Sequence, residues 1–340
     1  MRRSDRVATS LALVLGLGWA DLTAPAAADI DVVASIKPVH SLVAGVMQGI
    51  GDPMLLVEGA SSPHSYSLRP SDARALDKAQ VVFWIGEGLE TYLVKPLQAL
   101  SAEALVVAVS ETEGVRLLTT REGGVWEVRE QERGGHDKGD RESHTGALHA
   151  EAADHDQRHQ ERPHDHGRFD MHIWLDPHNA EAMVNAIVAA LSDADPANAS
   201  GYRENGSGIR RRLEALDEAL RTELASVVDR PFVVFHDAYQ YLEERYGLNA
   251  LGTISVDPGR RPGAQRLAAI RQRLKELNAA CVFAEPQFEP ALVDTVIEGT
   301  SARKGVLDPL GADLEAGPEQ YFQLMDGIAD ALTDCLGQAR

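Results

Sequence analysis

The 340-residue chain holds only two cysteines and far fewer basic than acidic residues, 33 Lys and Arg against 52 Asp and Glu, for a formal net charge of -19. So acidic a chain is a poor binder of nucleic acid, whose phosphates demand positive charge. The same charge favours solubility and a weak attraction for cations. Beyond the N-terminus no stretch reaches the ~18 consecutive apolar residues of a membrane span. The chain has no His-Glu-x-x-His helix and no Gly-x-Ser-x-Gly elbow, so two familiar signatures of metal-dependent and serine hydrolases are missing.

The one long apolar run opens the chain. Arg2, Arg3 and Arg6 precede Val7 to Ala20, which is broken only by Thr9 and Ser10, and Ala26, Ala27 and Ala28 follow. A basic segment, a short apolar core and a small-residue site make an export signal over residues 1–28, cleaved after Ala28. A retained membrane anchor is the alternative, but the run is short for a span. No cysteine lies near the cleavage point, which argues against a lipid anchor. About 312 residues would remain, enough for roughly two domains.

In an exported protein an even pair of cysteines points to a disulfide. Cys281 opens the apolar run to Ala284, a buried-strand pattern, and Cys335 lies near the end of the final helical segment. A bridge would tie that helix to the sheet. Thiolate metal ligation is the alternative, although neither cysteine has metal-ligand spacing around it.

A second deficiency is local. An insert of about residues 130–168 is nearly free of large aliphatic residues; between Gly134 and Gly167 only Leu148 is one. There the chain carries seven of its twelve histidines: His136, His144, His149, His155, His159, His164 and His166, among eight acidic residues. Such a segment buries too little apolar surface to offset the entropy of ordering, and is expected to be mobile. Its imidazoles and carboxylates suit borderline divalent metals, zinc above all.

Elsewhere short β-branched runs alternate with helical patterns. Strands are expected at Ile30 to Ile36, Met54 to Val57, Val81 to Ile85, Leu105 to Val109, Phe232 to Phe235, Leu251 to Ile254, Cys281 to Ala284 and Gly305 to Leu307. Helices are expected from Lys37 onward, then over Ser71 to Ala79, Asn179 to Leu191, Ala264 to Leu277, Pro290 to Gly299 and Glu319 to Cys335. This alternation predicts an α/β fold with mostly parallel sheets covered on both faces. Residues 196–228 lack any strand signal; Ile209, Leu213, Leu216, Leu220, Leu224 and Val227 recur at helical spacing. Some 30 residues at 1.5 Å each make a helix about 45 Å long. That is long enough to join an N-terminal lobe, residues 29–195, to a C-terminal lobe, residues 229–340; an ordinary surface helix is the alternative. Gly201, Gly206 and Gly208 weaken its first half.

Five histidines lie outside the insert, and their placement carries the functional argument. His236 directly follows the strand Phe232 to Phe235, His64 lies in the loop after Met54 to Val57, and His172 immediately precedes a helix. Asp308 follows the strand pattern Gly305 to Leu307. In open α/β sheets ligands bind beyond the carboxyl ends of strands. Three neutral imidazoles and one carboxylate make a suitable tetrahedral zinc set, and a fourth position held weakly by Asp308 or by water leaves room for release. His40, one turn into a helix, and His178, at a helix start, are expected to stay outside the site.

These residues sit in recognisable segments: Gly59-Ala-Ser-Ser-Pro-His-Ser-Tyr-Ser-Leu-Arg-Pro-Ser71, Met171-His-Ile-Trp174, Phe235-His-Asp-Ala-Tyr239, Phe283-Ala-Glu-Pro-Gln-Phe288 and Leu307-Asp-Pro-Leu-Gly311. In that order they resemble the signature segments of periplasmic zinc-binding proteins of high-affinity zinc ABC importers, over essentially the whole chain. The resemblance implies two α/β lobes joined by one long rigid helix, with Zn2+ as transported ligand in the cleft between them, held by His64, His172 and His236. It implies a permease and its ATPase subunit as partners, with a periplasmic zinc chaperone as a further one, and a monomeric, non-enzymatic protein. The two cysteines match the disulfide of Gram-negative members. Some relatives place a glutamate ligand immediately before the first histidine; here that residue is Pro63, which leaves the fourth ligand between Asp308 and water. Manganese-binding cousins use the aspartate at the Asp308 position and tend to carry a carboxylate where this chain has His236; imidazole there favours zinc.

Rival readings are a manganese- or iron-binding transport protein, a metal-dependent surface adhesin, since some relatives bind host matrix proteins, and a zinc hydrolase with Glu285 as general base. Glu285 also fits a role in orienting a metal ligand. In the zinc-capture reading the histidine-rich insert is an accessory collector or sensor.

Overall fold

Eight strands pair into two separate four-stranded sheets, each wholly parallel, as the alternation predicts. The computed structural model describes residues 30–101, 103–121, 168–255 and 262–338. The export signal, its cleavage point after Ala28 and the seven insert histidines lie outside the described residues.

In the first sheet β1 (Val32–Ala34) lies between β2 (Met54–Leu55) and β3 (Val81–Trp84), with β4 (Leu105–Ala108) beyond β3. Every residue of β1 and β3 is buried, as expected for parallel strands covered on both faces. Helix α1 (Lys37–Val46) begins with Pro38 in its first turn, where a missing N–H is harmless. All ten residues of α1 are buried, so it lies inside the molecule rather than on it. Helices α2 (Pro70–Lys78) and α3 (Val94–Leu100) complete the crossovers.

Two strands escape sequence reading, as do α3 and the helix Gln240–Tyr246. Strands β5 (Leu118–Thr119) and β6 (Phe169–Asp170) pair antiparallel, Thr119 opposite Phe169. They bring the chain on either side of residues 122–167 together. Two-residue strands carry no periodicity, so no pattern announces them.

Helix α4 (Pro177–Ala194) leads into α5 (Ala199–Leu224), which at 26 residues spans about 39 Å. The expected stripe Ile209, Leu213, Leu216, Leu220 and Leu224 is its buried face. The glycines do not break it. A Cβ on Gly206 would run into Val188 of α4, and one on Gly201 would stand 2.8 Å from Ile50. Gly201 and Gly206 let side chains of neighbouring elements approach α5 closely.

The second sheet has the order β10-β9-β7-β8, from β7 (Phe232–Val234), β8 (Ala250–Thr253), β9 (Cys281–Ala284) and β10 (Arg303–Val306). Its helices are α6 (Gln240–Tyr246), α7 (Ala264–Glu276), α8 (Pro290–Ile297) and α9 (Gln320–Leu336). The last strand starts two residues before its expected position, and Gly305 sits where a Cβ would lie 2.5 Å from the Phe283 ring. Cys281 and Cys335 form a disulfide, Cα atoms 6.3 Å apart, tying α9 to β9. This removes the thiolate-ligand alternative.

Helix α5 packs on α1 and α4 of the first lobe and on α6 and α9 of the second. One apolar cluster runs from Val33 and Val43 through Leu213 and Leu220 to Phe232 and Met325; a smaller one lies under α7 and α8. Polar bonds cross the same boundary. The buried Lys37 ammonium donates to the carbonyls of Gly311, Ala312 and Leu314 at 3.0, 2.6 and 2.8 Å. The Trp174 indole donates to the Pro309 carbonyl at 2.8 Å, and the Tyr321 hydroxyl to the Trp174 carbonyl at 2.7 Å. Two lobes sharing a core and a helix in this way form a stiff pair. No helix among the described residues is long and apolar enough to cross a membrane.

Candidate metal centre

His64, His172 and His236 meet in the cleft between the lobes, one ring nitrogen of each lying within 4.8 Å of the others. His64 comes from the long loop after β2, whose far end is tied down by Asp72. That carboxylate accepts from the Arg69 backbone N–H at 2.8 Å and from the Tyr66 hydroxyl at 2.9 Å. His172 follows β6, and His236 follows β7 at the carboxyl end of the second sheet.

The same device aims two of the rings. Asp170 Oδ1 accepts from the backbone N–H of His172 at 3.0 Å and faces its Nδ1 at 2.7 Å. Glu285 Oε1 accepts from the backbone N–H of His236 at 3.1 Å and faces its Nδ1 at 2.8 Å. A carboxylate only accepts, so each Nδ1 carries the proton and each Nε2 turns a lone pair inward. The two Nε2 atoms are 3.2 Å apart. Two nitrogens on a tetrahedral zinc, each about 2.0–2.1 Å from the ion, stand about 3.3 Å apart. The pair is therefore spaced for a shared cation.

Electrostatics separates the three rings. Burial holds the His64 imidazole well below its usual pKa, reinforced by His172 and His236, and its buried Nε2 has no hydrogen-bond partner. Burial opposes charge on His236 as well, but Glu285, with Asp170 and Asp237, outweighs it and raises the net value. Lone pairs on neutral imidazoles, backed by two buried carboxylates, suit a borderline divalent metal better than a hard one.

Asp308 is not brought into this cluster. Its Oδ1 accepts from the Leu310 N–H at 3.0 Å and from Gln287 Nε2 at 2.8 Å, and its Oδ2 from the Ala312 N–H. Glu285, read from sequence as a candidate base or ligand orienter, lies against His236. His40 is buried in α1 with Nε2 3.0 Å from the Pro53 carbonyl, and His178 is exposed at the start of α4. Sequence reasoning missed Asp170 and Gln287. The Asp-x-His spacing of Asp170 and His172 is the one signal that pointed to the former.

Two cavities flank the triad. One of about 180 Å³ opens on the β5–β6 side, lined by Gly88, Leu89, Thr120, Arg121, Asp170 and Asp237. Arg121 crosses to the second lobe there, its Nε donating to Asp237 at 3.0 Å and its Nη1 to Glu243 at 2.6 Å. The other cavity, about 10 Å³, lies among Ser62, Trp174, Gln287, Phe288 and Leu310.

The sequence model of the family described as zinc-uptake complex component A, periplasmic, matches residues 32–335. The high-affinity zinc uptake system protein ZnuA of Brucella suis is 47% identical over 317 residues, covering 90% of this chain and 92% of that protein. The protein of the same name from Yersinia pestis is 35% identical over 305 residues, covering 90% and 91%. Among solved structures, a ZnuA crystal structure superimposes with a TM-score of 0.70 at 24% identity, over 90% of this chain and 99% of that one. The periplasmic zinc binding protein TroA of Treponema pallidum gives 0.69 at 22%, over 91% and 99%. At such identities these structures speak for the fold: two lobes and a long connecting helix. Members of the matched family are substrate-binding transport components, not enzymes. A match across nearly the whole chain, with relatives this similar over nine-tenths of it, makes this chain a member of the periplasmic zinc-uptake component A family.

Proposed function

We propose that the protein captures Zn2+ in the periplasm and delivers it to an ABC-type permease, the ion being held by Nε2 of His172 and of His236 with His64 as third ligand. The supporting observation is the 3.2 Å approach of two Nε2 atoms whose rings are each locked from behind by a carboxylate. Three imidazoles favour zinc over oxygen-preferring manganese. The chain is exported with cleavage after Ala28 and works as a monomer.

Residues 29–195 form one lobe, 196–228 the link and 229–340 the other. The shared core and α5 restrict loading to small tilts and local loop ordering rather than a wide hinge closure. The loaded form docks on the permease, whose ATPase subunit drives release. The insert histidines, from His136 to His166, collect or sense metal at lower affinity, and a periplasmic zinc chaperone is a further partner.

Calorimetric titration of His236→Ala tests the site. The tightest zinc site should disappear from the variant; its survival with unchanged affinity would sink the assignment.

A further inference from the structure

The ribbon of β5 and β6 belongs by chain order to the first lobe, yet it is fastened to the second. From these bonds we infer that Tyr241, on α6, is a positioning residue. Its hydroxyl fixes Asp170, and through it His172, relative to His236, and so sets a spacing that prefers an ion of zinc's size. This rests on the zinc-capture reading above.

Three observations carry it. First, one hydroxyl serves both strands of the ribbon. Leu118 and Asp170 stand opposite each other in the ladder. The Tyr241 hydroxyl accepts from the Leu118 backbone N–H at 3.0 Å and donates to the Asp170 carbonyl at 2.6 Å. Tyr241 is 2% exposed, and burial raises its pKa, so the phenol keeps the proton it donates. Asp170 is the residue whose carboxylate meets the backbone N–H and Nδ1 of His172. Helix α6, which carries Tyr241, begins shortly after His236. A single oxygen therefore joins the arm of one histidine to the helix that follows another.

Second, the ribbon does not hold itself. Strands of two residues offer too few rungs for independent stability. Asn179 of α4 accepts from the Arg116 N–H at 2.8 Å and donates to the carbonyls of Arg116 and Ile173 at 3.1 and 3.3 Å. It pins the chain to the first lobe on both sides of the ribbon. Between those anchors the second lobe takes over. Besides Tyr241, Gln240 Nε2 donates to the Thr119 carbonyl at 3.2 Å, and Arg121 reaches Asp237 and Glu243.

Third, the spacing held in this way is narrow. The Nε2 atoms of His172 and His236 stand 3.2 Å apart, against roughly 3.3 Å for two nitrogens on a tetrahedral zinc. Cadmium is a larger ion of similar chemistry and needs its nitrogens farther apart. An arm held rigid at the zinc spacing spares zinc the cost of ordering and burdens cadmium with the cost of moving it. Freeing the arm should therefore harm zinc more than cadmium.

The test is competition titration of the full chain with Zn2+ and Cd2+, with the visible spectrum of the Co2+-loaded protein as a second readout. Tyr241→Phe keeps the ring and removes only the oxygen. Zinc affinity should fall about tenfold and cadmium affinity by less than about threefold, so the preference for zinc shrinks. The Co2+ bands should move, because the donor geometry relaxes. Tyr202→Phe is the control for a lost buried hydroxyl: it removes a 2.9 Å bond to Asp195 at the junction of α4 and α5. It should lower the denaturant midpoint and leave both affinities and the spectrum unchanged. Arg121→Gln, which removes the charged bonds of the same ribbon to Asp237 and Glu243, should shift the metal preference in the same direction. It keeps the inference testable if Tyr241→Phe folds poorly.

Equal losses for the two ions in Tyr241→Phe, or affinities and spectrum both unchanged, would overturn the inference and leave Tyr241 a packing residue. Failure of the capture reading has a different signature: His172→Ala would then leave the tightest zinc site untouched.

Discussion

Glu285 binds His236 twice, through its backbone N–H at 3.1 Å and its Nδ1 at 2.8 Å, although 49 residues separate them. The contact exists because β7 and β9 are parallel neighbours, Phe232 opposite Cys281 and Val233 opposite Val282. Both residues emerge at the carboxyl end of the sheet. The carboxylate selects the tautomer, and the tautomer leaves Nε2 free for a cation.

Proton competition for zinc follows from this contact. Glu285, with Asp170 and Asp237, raises the His236 pKa above the ordinary 6.5 despite burial, while burial and its histidine neighbours hold the His64 pKa well below it. A protonated Nε2 cannot ligate, so affinity falls as pH drops through the His236 value, beginning above 6.5. Glu285→Gln keeps a hydrogen-bond acceptor but removes the charge. Zinc titrations from pH 8 to pH 5 should show its proton competition moved to lower pH. Its affinity at pH 8 should be about 10-fold weaker, at the mild end of the loss expected when a ligand's partner is altered.

Glu90 makes stability depend on pH by a separate route. Its carboxylate is wholly buried, accepting from the N–H groups of Ile85 at 2.7 Å and Gly86 at 3.3 Å, and burial pushes its pKa up to about 7. Between the ordinary 4.5 and 7 the native state binds a proton that the unfolded chain has released. Stability therefore declines as pH rises through that window and levels off above it, by at most about 3 kcal/mol. Glu90→Gln should flatten this part of the denaturation profile; an unchanged slope would mean that another group carries the effect.

Breaking the disulfide should weaken the fold and spare the site. The bridge closes 54 residues of chain, worth about 4 kcal/mol on the loop-entropy model. Cys281→Ser with Cys335→Ser should lower the denaturant midpoint accordingly. Zinc stoichiometry and tight-site affinity should hold, because neither cysteine is part of the histidine cluster.

Deleting residues 134–167 should reduce the number of metals bound and leave the tightest site intact. The pairing of Thr119 with Phe169 holds the flanks of residues 122–167 together, so shortening that segment does not pull on Asp170 or His172. Loss of the tight site in the deletion, measured by competition with a chelator, would return the insert to the centre of the mechanism.

The strands and the three histidines were legible because burial leaves a local record. Val32 to Ala34, Phe232 to Val234 and Cys281 to Ala284 are continuous apolar runs, as doubly covered strands must be. A histidine directly after such a run stands at a ligand-binding edge. The long helix was legible from its leucine stripe. Its glycines misled, since sequence records their intrinsic cost but not the Val188 and Ile50 side chains that need the space.

By itself, then, the sequence determined the α/β class, the long helix and the place of His236 at a strand end, all consequences of local apolar pattern. Tertiary structure alone decided which groups work together. Asp170 faces His172, Glu285 faces His236, and Asp308 holds Gln287. Most of these pairings follow from sheet order and loop packing, which join residues distant in the chain. A hydrogen bond lasts only over a few tenths of an ångström, a precision that no pattern of burial encodes.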